Sequence, residues 1–245
     1  MSDDPTVPLT ELVPPPGAGR TFEREIVPGL ADATRSGRVR LDAIARWLQD
    51  LAYGDIVDAG LAGRGAWVVR RARMKVESFP RFGGPVSART FCSAAGRLAA
   101  ERRTSLSGGP AAVEAVAMWI HVDTETLRPL RLGDEFEAVY GESAGSRKAN
   151  FRLGHPDPPA GAAASPWRFR ASDVDVAGHV NNAAYWGPVE ELFAETADEP
   201  ESADLEIEYR EPAQPGDAGI VRARRMMWIT APDGAVHASV AGLLG

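Results

Sequence analysis

A polar segment in the second half of the chain, residues 173–182, combines acidic side chains with one of the protein's four histidines. Asp173 and Asp175 stand two residues apart, and His179 follows the second acid by four residues. Carboxylates spaced in this way beside an imidazole can move protons between a substrate and water, which is general acid–base chemistry. On these residues alone, a catalytic loop and a purely structural loop ahead of a helix are both open.

The residues that follow the acids predict how such a loop is positioned. Gly178 allows a turn with positive φ, and Asn181 or Asn182 can cap a helix that begins there. The amino terminus of a helix presents backbone N–H groups without partners. Such groups can polarise a carbonyl and stabilise a developing oxyanion.

Two segments of similar organisation make up most of the chain. Residues 141–166 are rich in Gly, Ala, Ser and Pro and predict a linker. On either side, at 21–140 and 167–245, a short strand leads through a turn to a helix and then to further strands. The helices are predicted at 41–59 and 181–196 from their apolar spacing and from this order.

A short internal match supports a duplication. Gly-Arg-Val at residues 37–39 recurs as Gly-His-Val at 178–180, 141 residues later. A repeat of this length is typical of a duplicated α+β unit. A strand, a helix and then a run of antiparallel strands predict a sheet wrapped around one central helix in each unit.

Composition and charge limit the classes of function. No run of eighteen apolar residues predicts a membrane span. The net charge of −7 opposes non-specific binding to nucleic acid. Residues 1–20 are acidic and proline-rich and lack the basic start and apolar core of a signal peptide, so we expect a disordered tail on a cytoplasmic protein.

The cysteine and histidine content gives further limits. The single cysteine, Cys92, excludes an internal disulfide, fits a reducing compartment, and is expected to be a small core residue and not a nucleophile. The other histidines, His121, His155 and His237, lack the spacing of metal ligands, so no metal site is expected.

Basic residues are concentrated in one stretch. Residues 61–105 hold ten of the 27 Lys and Arg residues but only two acids, Glu77 and Glu101. A basic surface on an acidic protein predicts an anionic partner. The alternative is that these side chains form the outward faces of amphipathic strands.

Several motifs resemble a known family. Residues 173–185 resemble the signature of hotdog thioesterases, an aspartate-rich loop that ends in Gly-His-Val-Asn-Asn and is followed by Tyr185. From about Phe22 onward, the chain also resembles the acyl-ACP thioesterase family of plants and bacteria. The further motifs that resemble this family lie at residues 47–52, 67–69, 80–83, 119–129 and 207–210.

The resemblance implies a tandem hotdog that hydrolyses the thioester between a fatty acyl chain and acyl carrier protein (ACP). It implies no need for a metal or an organic cofactor. Because ACP is acidic and carries a phosphopantetheine arm, the basic stretch at 61–105 would have a partner. A homodimer of the tandem protein and the choice between ACP and coenzyme A as carrier stay open.

Two of the family's expected active-site groups are missing. The family pattern places its aspartate on Asp175 and its histidine on His179, but its asparagine falls on Ala177 and its glutamate on Pro212. Glu211 is one residue away. Either the protein binds acyl thioesters without cleaving them, or it works like single-domain hotdog thioesterases.

In that second case, Asp175 acts as nucleophile or as base for water while helix N–H groups hold the oxyanion. The candidate catalytic residues are therefore Asp175, His179 and Asn182. His179 would orient the thioester or its own loop, and Asn182 is alternatively a helix cap or a packing residue.

Other positions carry weaker expectations. Glu190 and Glu191 lie where some hotdog enzymes have a catalytic carboxylate, but exposed surface positions are expected. The first unit has Thr34 and Arg38 where the second has the aspartate and the histidine. It is therefore expected to supply walls of the acyl pocket and no second active site.

Overall fold

The computed structural model describes residues 7–196 and 198–243, and in this part of the chain ten strands form one antiparallel sheet. Its strand order is β1-β3-β4-β5-β2-β7-β10-β9-β8-β6. The strands are β1 Thr21–Ile26, β2 Ala66–Ser78, β3 Val86–Ala95, β4 Ala99–Gly108, β5 Ala111–Val122, β6 Ala164–Phe169, β7 Ala203–Tyr209, β8 Gly216–Ala223, β9 Met226–Thr230 and β10 Val236–Ala241.

The strand order repeats itself about the centre of the sheet. The first five strands run from β1 at one edge to β2 at the centre, and the last five run from β6 at the other edge to β7 in the equivalent order. β2 and β7 pair antiparallel, from Arg71 opposite Glu208 to Val76 opposite Ala203. This symmetry supports the duplication that the sequence predicts.

Each half-sheet packs on a helical segment. α1 is Leu41–Asp58, close to the predicted 41–59, and it buries an apolar face that includes Ile44, Leu48 and Leu51. Hydrophobic side chains of both units form one continuous core around this helix and its counterpart. The predicted α+β double hotdog, with a sheet wrapped around a central helix in each unit, is confirmed.

The second central helix is shorter than predicted. The expected helix at 181–196 is a 3₁₀ turn at Asn182–Trp186 followed by α3 at Gly187–Ala194. Pro188 explains the break, because it has no N–H to donate to the preceding turn and its ring crowds that turn. No helix in the described residues has the length and apolar character needed to cross a membrane.

The amino-terminal prediction needs correction. Residues 1–6 lie outside the described residues, but the segment after them is held against the sheet. The Thr10 N–H donates to Glu206 Oε2 over 2.8 Å, and Arg103 Nε donates to the carbonyl of the buried Val13 over 2.9 Å. Proline and acid content predicted disorder, but residues of distant strands supply the hydrogen-bond partners.

The predicted linker at 141–166 is also shorter and more ordered than expected. Its start belongs to α2, Asp134–Ala144, and its end belongs to β6, which begins at Ala164. Between them the chain crosses the sheet, where Arg71 donates to the carbonyls of Asn150 and Arg152. The linker is thus a strap fixed to the sheet.

Most cations of the basic stretch at 61–105 have carboxylate partners, so the stretch does not form the predicted basic surface. Arg102 and Arg103 are buried, where they pair with Asp55 and Glu114. The other pairs are Arg64–Glu135, Arg71–Glu208, Arg73–Asp204, Lys75–Glu77 and Arg89–Glu23. Arg71, Arg73, Arg89 and Arg103 pair with acids of adjacent strands, because alternation along a strand brings such side chains together.

A buried polar cluster joins α1, α2 and β4. Asp55 is 1% exposed and accepts hydrogen bonds from Arg102 Nη1 at 2.6 Å, Arg20 Nε at 2.7 Å and the Tyr140 hydroxyl at 2.9 Å. Cys92 lies buried in the adjoining apolar cluster, and burial raises the pKa of its thiol to about 12. A neutral, enclosed thiol agrees with the expected core role.

Replacing Asp55 should expose how much this cluster contributes. Asp55→Ala leaves the buried Arg102 guanidinium without its carboxylate, so we expect a loss of about 3–5 kcal/mol in the free energy of unfolding, measured by urea denaturation. Asp58→Ala is the matched control, because Asp58 pairs with the same Arg20 at an exposed position and should cost less than about 1 kcal/mol. Equal losses in the two variants would contradict this account.

Candidate active site

The loop between β6 and the second central helix has a tightly fixed backbone. A 3₁₀ turn at Ala171–Asp173 opens it, with Asp173 Oδ2 accepting the Arg170 N–H at 2.7 Å. A bridge between Val174 and Val180 closes it. Gly178 lies at the tip of the loop with φ of 79°, a left-handed conformation that favours glycine.

The first unit repeats this loop with equivalent hydrogen bonds. Asp175 in the second loop and Thr34 in the first occupy equivalent positions. In each loop, the N–H of this residue donates to the carbonyl four residues later, and its carbonyl accepts the N–H of the loop glycine. A third backbone hydrogen bond joins the two ends of the loop. In the second unit these bonds are Asp175 N to His179 O, Gly178 N to Asp175 O and Asn181 N to Asp173 O; in the first they are Thr34 N to Arg38 O, Gly37 N to Thr34 O and Arg40 N to Asp32 O.

Both carboxylate oxygens of Asp175 are held within its loop. Oδ1 accepts the Ala177 N–H at 2.9 Å, and Oδ2 accepts Asn181 Nδ2 at 2.9 Å. The residue is half-buried. These bonds fix the orientation of the carboxylate, which stays partly accessible to solvent.

Asn181 is the residue that sequence reasoning undervalued. Its Oδ1 accepts the Ala183 N–H at 2.8 Å and caps the 3₁₀ turn, while its Nδ2 binds Asp175. The cap is therefore Asn181, and the alternative that Asn182 caps this helix is wrong. The Asn-Asn pair signalled a cap, but the pattern could not show which side chain turns inward.

Gln49 is a second undervalued residue, and it comes from the other unit. From α1, its Nε2 donates to Asn181 Oδ1 at 3.0 Å, and its Oε1 accepts Asn182 Nδ2 at 3.4 Å. A single amide side chain thus braces both asparagines at the start of the second helical segment. Only the folded pairing of the two units brings Gln49 to this loop.

The backbone of Asn182 has a different environment from its side chain. Its carbonyl accepts the Tyr209 hydroxyl at 3.0 Å. Its N–H makes no hydrogen bond with the described part of the chain. The equivalent N–H in the first unit, that of Leu41, donates to Glu190 Oε1 at 2.6 Å. The free N–H at Asn182 therefore lies where the first unit binds a carboxylate oxygen.

The first-unit counterpart of the site is closed by ion pairs. Arg38, which is 2% exposed, forms a bidentate pair with Glu190 and a further contact to Glu199. The expectation of a surface position is therefore wrong for Glu190, because the buried guanidinium draws it inward. Glu191 is exposed, as expected. Thr34 takes the place of an acid in this loop.

His179 is in the same loop as Asp175 and is half-buried. Its carbonyl accepts the Asp175 N–H at 3.1 Å. Among the described residues, its imidazole has no hydrogen-bond partner. The ring is therefore available to a ligand, while its backbone shapes the loop.

Two tyrosines support the site from the core and stay neutral. Tyr185 accepts the Ala213 N–H at 2.8 Å through its hydroxyl, and burial raises its pKa to about 12. Tyr209 packs edge-on against Tyr185 with ring centroids 5.5 Å apart, and burial raises its pKa well above the usual value. Neither phenol is a candidate base.

Comparison with known sequences identifies the family. The acyl-ACP thioesterase N-terminal domain matches residues 19–140, and the acyl-ACP thioesterase C-terminal domain matches residues 158–225. The chain belongs to the acyl-ACP thioesterase family. Membership of this family supports hydrolysis of thioesters as the activity.

Relatives and solved structures agree with this assignment. The chain is 26% identical over 213 residues to an uncharacterized protein of Mycobacterium tuberculosis, and the alignment covers 86% of this chain and 85% of that protein. It is 25% identical over 206 residues to oleoyl-acyl carrier protein thioesterase 2 of Arabidopsis thaliana, covering 72% of this chain and 55% of the plant protein. The fold is similar to that of an acyl-ACP thioesterase from Bacteroides thetaiotaomicron, with a TM-score of 0.73, 15% identity, and coverage of 91% and 97%.

This member of the acyl-ACP thioesterase family departs from the expected family pattern at two places near the loop. Ala177 contributes its backbone N–H and has no side chain that can take part. Glu211 is exposed, and its carbonyl lies 3.2 Å from His237 Nδ1. The side chain that reaches the loop from this strand end is instead Gln214, whose Nε2 donates to the Gly178 carbonyl at 3.4 Å.

The two loop glycines give a matched test of the site. Gly178→Ala and Gly37→Ala each force alanine into a left-handed conformation, because φ is 79° and 85°, and each should cost about 1–2 kcal/mol of stability. In neither case does a new Cβ meet an atom closer than 3.9 Å. We expect only Gly178→Ala to lower kcat/KM on acyl thioesters, measured beside urea denaturation of both variants.

A similar fall in kcat/KM for Gly37→Ala would show that the effect comes from general destabilisation. Unchanged activity in Gly178→Ala would remove the loop conformation from the requirements of the reaction.

Proposed function

We propose that this protein hydrolyses fatty acyl-ACP to free fatty acid and ACP at the loop of the second unit. The observation that carries the proposal is the Asp175 carboxylate, fixed by Ala177 N–H and Asn181 Nδ2 within the loop that leads to the free Asn182 N–H. A negatively charged oxygen and a hydrogen-bond donor for an oxyanion are the two groups that thioester hydrolysis needs.

Asp175 has two chemical routes open to it. As a general base, it takes a proton from a water molecule whose oxygen attacks the thioester carbonyl. As a nucleophile, one of its oxygens attacks that carbonyl to form a mixed anhydride, which water then hydrolyses. In both routes the carbon–sulfur bond breaks and the phosphopantetheine thiolate leaves and takes up a proton.

The Asn182 N–H is the proposed donor to the oxyanion. Its support is the equivalent Leu41 N–H, which binds a carboxylate oxygen of Glu190 at 2.6 Å. Because the Leu41 N–H binds an anionic oxygen in the first unit, the equivalent Asn182 N–H has the geometry to stabilise an oxyanion in the second unit. The candidate role of Asn182 therefore lies in its backbone, while its side chain is braced by Gln49.

His179 is proposed to orient the thioester. Its support is an imidazole that lacks a hydrogen-bond partner among the described residues and that belongs to the same loop as Asp175. The chemistry proposed at these groups requires neither a metal nor an organic cofactor.

The carrier is proposed to be ACP on the strength of the family match. Most cations at 61–105 are paired within the protein, so they do not support the docking of an acidic carrier there. An acyl-CoA thioesterase is the alternative, and kcat/KM on acyl-ACP and acyl-CoA of the same chain length separates the two. A cytoplasmic location and a homodimer stay predictions.

A protein that binds acyl thioesters without cleaving them is a second candidate. Two departures from the family pattern together motivate it: alanine stands at position 177, and Pro212 stands where the glutamate is expected, beside an exposed Glu211. This candidate predicts saturable binding of acyl-ACP with no release of fatty acid. Robust turnover by pure protein would exclude it.

Asp175→Ala should abolish hydrolysis of acyl-ACP while the fold stays intact. Removal of the carboxylate leaves Asp173 as the only acid of the loop, and its Oδ2 is bound by the Arg170 N–H at the start of the loop. Release of the ACP thiol is measured with wild type, Asp175→Ala and Thr34→Ala, the last being the equivalent position of the first unit. Full activity in Asp175→Ala, or an equal loss in Thr34→Ala, would contradict Asp175 as the catalytic residue.

Gln49→Ala should reduce kcat on the order of 100-fold with little change in KM, because a displaced loop misplaces the reacting groups. Gln49→Glu should not restore kcat, since a carboxylate cannot donate to Asn181 Oδ1. Asp50→Ala, at the next and exposed position of α1, is the control and should keep wild-type kinetics. A rise in KM alone would show that Gln49 binds substrate and does not position the loop.

A further inference from the structure

A buried cluster of one imidazole and two carboxylates lies on the outer face of the sheet, away from the core. Glu206 and Glu208 alternate along β7 with Leu205, Ile207 and Tyr209, which face the core. His155 comes from the strap between α2 and β6. All three residues are less than 9% exposed, and one ligand atom from each lies within 4.8 Å of the others.

The carboxylates are oriented by backbone donors that leave room for another ligand. Glu206 Oε2 accepts the Thr10 N–H at 2.8 Å. Glu208 accepts the N–H groups of Gly154 and His155 at 2.7 and 2.9 Å. Glu206 Oε1 faces the imidazole of His155.

The His155 ring is held at one nitrogen and unsatisfied at the other. Nδ1 lies 2.9 Å from Ser239 Oγ. Nε2 is buried, has no hydrogen-bond partner in the described part of the chain, and lies 3.7 Å from Glu206 Oε1. This distance is too long for a hydrogen bond, so both the neutral and the protonated ring leave a buried nitrogen without a partner, which costs stability.

The basic groups near the two carboxylates do not make close contacts with them. Arg71 is the cation nearest to the carboxylates, 3.9 Å from Glu208 Oε1, and its Nη atoms are occupied by strap carbonyls. Arg70 also acts on Glu208 through its charge, but among the described residues no basic nitrogen lies closer than 3.7 Å to an oxygen of either glutamate. An isolated buried carboxylate is unfavourable unless a further positive charge compensates it.

We propose that His155 Nε2, Glu206 and Glu208 bind a divalent transition metal of the Zn²⁺ class. Zinc lies about 2.0–2.2 Å from such nitrogen and oxygen ligands, so two ligands of one ion stand about 3–4 Å apart, as Nε2 and Glu206 Oε1 do. Ser239 Oγ at Nδ1 is the kind of contact that orients a metal-binding histidine.

The surroundings suit a site that fastens chain segments. A cleft of about 480 Å³ opens onto the three residues and is bordered by Thr10 and Arg71, which leaves an entry path and a place for a water ligand. The ion would tie the strap at His155 to β7, beside the point where the amino-terminal segment also binds Glu206. His155 precedes Glu206 by 51 residues and Glu208 by 53 residues, so local spacing in the sequence gave no sign of the site.

Calorimetric titration of untagged, chelator-treated protein with Zn²⁺ tests the proposal. We expect one ion per chain with Kd below about 1 μM for wild type, and at least 100-fold weaker binding for His155→Ala and Glu206→Gln. Ser239→Ala should weaken binding about 10- to 100-fold. His237→Ala removes a half-buried histidine outside the cluster and should bind like wild type.

Thermal unfolding gives an independent readout, because Zn²⁺ should raise Tm of wild type and of His237→Ala but not of Glu206→Gln. Absence of stoichiometric binding by folded wild type would overturn the proposal, whatever the folding of the variants. Equal affinity in wild type and a folded His155→Ala would overturn it as well. Neither result bears on Asp175, since the readouts are binding and Tm and not hydrolysis.

Discussion

The antiparallel pairing of β2 with β7 is the interaction on which the rest of the structure depends. It joins two half-sheets of the same strand order into one sheet, and it places both central helices on the same side of that sheet. Gln49 of α1 then reaches the loop of the second unit, and Glu190 of α3 reaches the loop of the first. Each loop site is therefore made by both units.

The same exchange of side chains has opposite results at the two sites. At the first loop, Arg38 and Glu190 are oppositely charged, so they pair in the interior and Glu190 also occupies the Leu41 N–H. At the second loop, the equivalent residues are His179 and the neutral Gln49, so no ion pair fills the space. The first site is closed because Arg38 and Glu190 carry opposite charges. The second site is open because His179 and Gln49 form no such ion pair.

Periodicity and motif order were enough to predict the double sheet, α1 and the loop at 173–182. They could not predict that residues 7–13 and the strap adopt a fixed conformation, because the groups that bind these segments are Glu206 and Glu208 on a distant strand. Pro188 is visible in the sequence, yet the prediction ran the helix through it. The roles of Asn181 and Gln49 depend on a contact between the two units, and local patterns in the sequence do not show such a contact.

The missing asparagine at position 177 has a physical replacement. A side-chain amide at that position would be one means of holding the carboxylate of Asp175. Here the backbone N–H of Ala177 holds Oδ1, and the amide of Asn181 holds Oδ2. Gln49 fixes that amide by donating to Asn181 Oδ1. Because both oxygens of Asp175 are held without a side chain at 177, the alanine alone is no argument against catalysis.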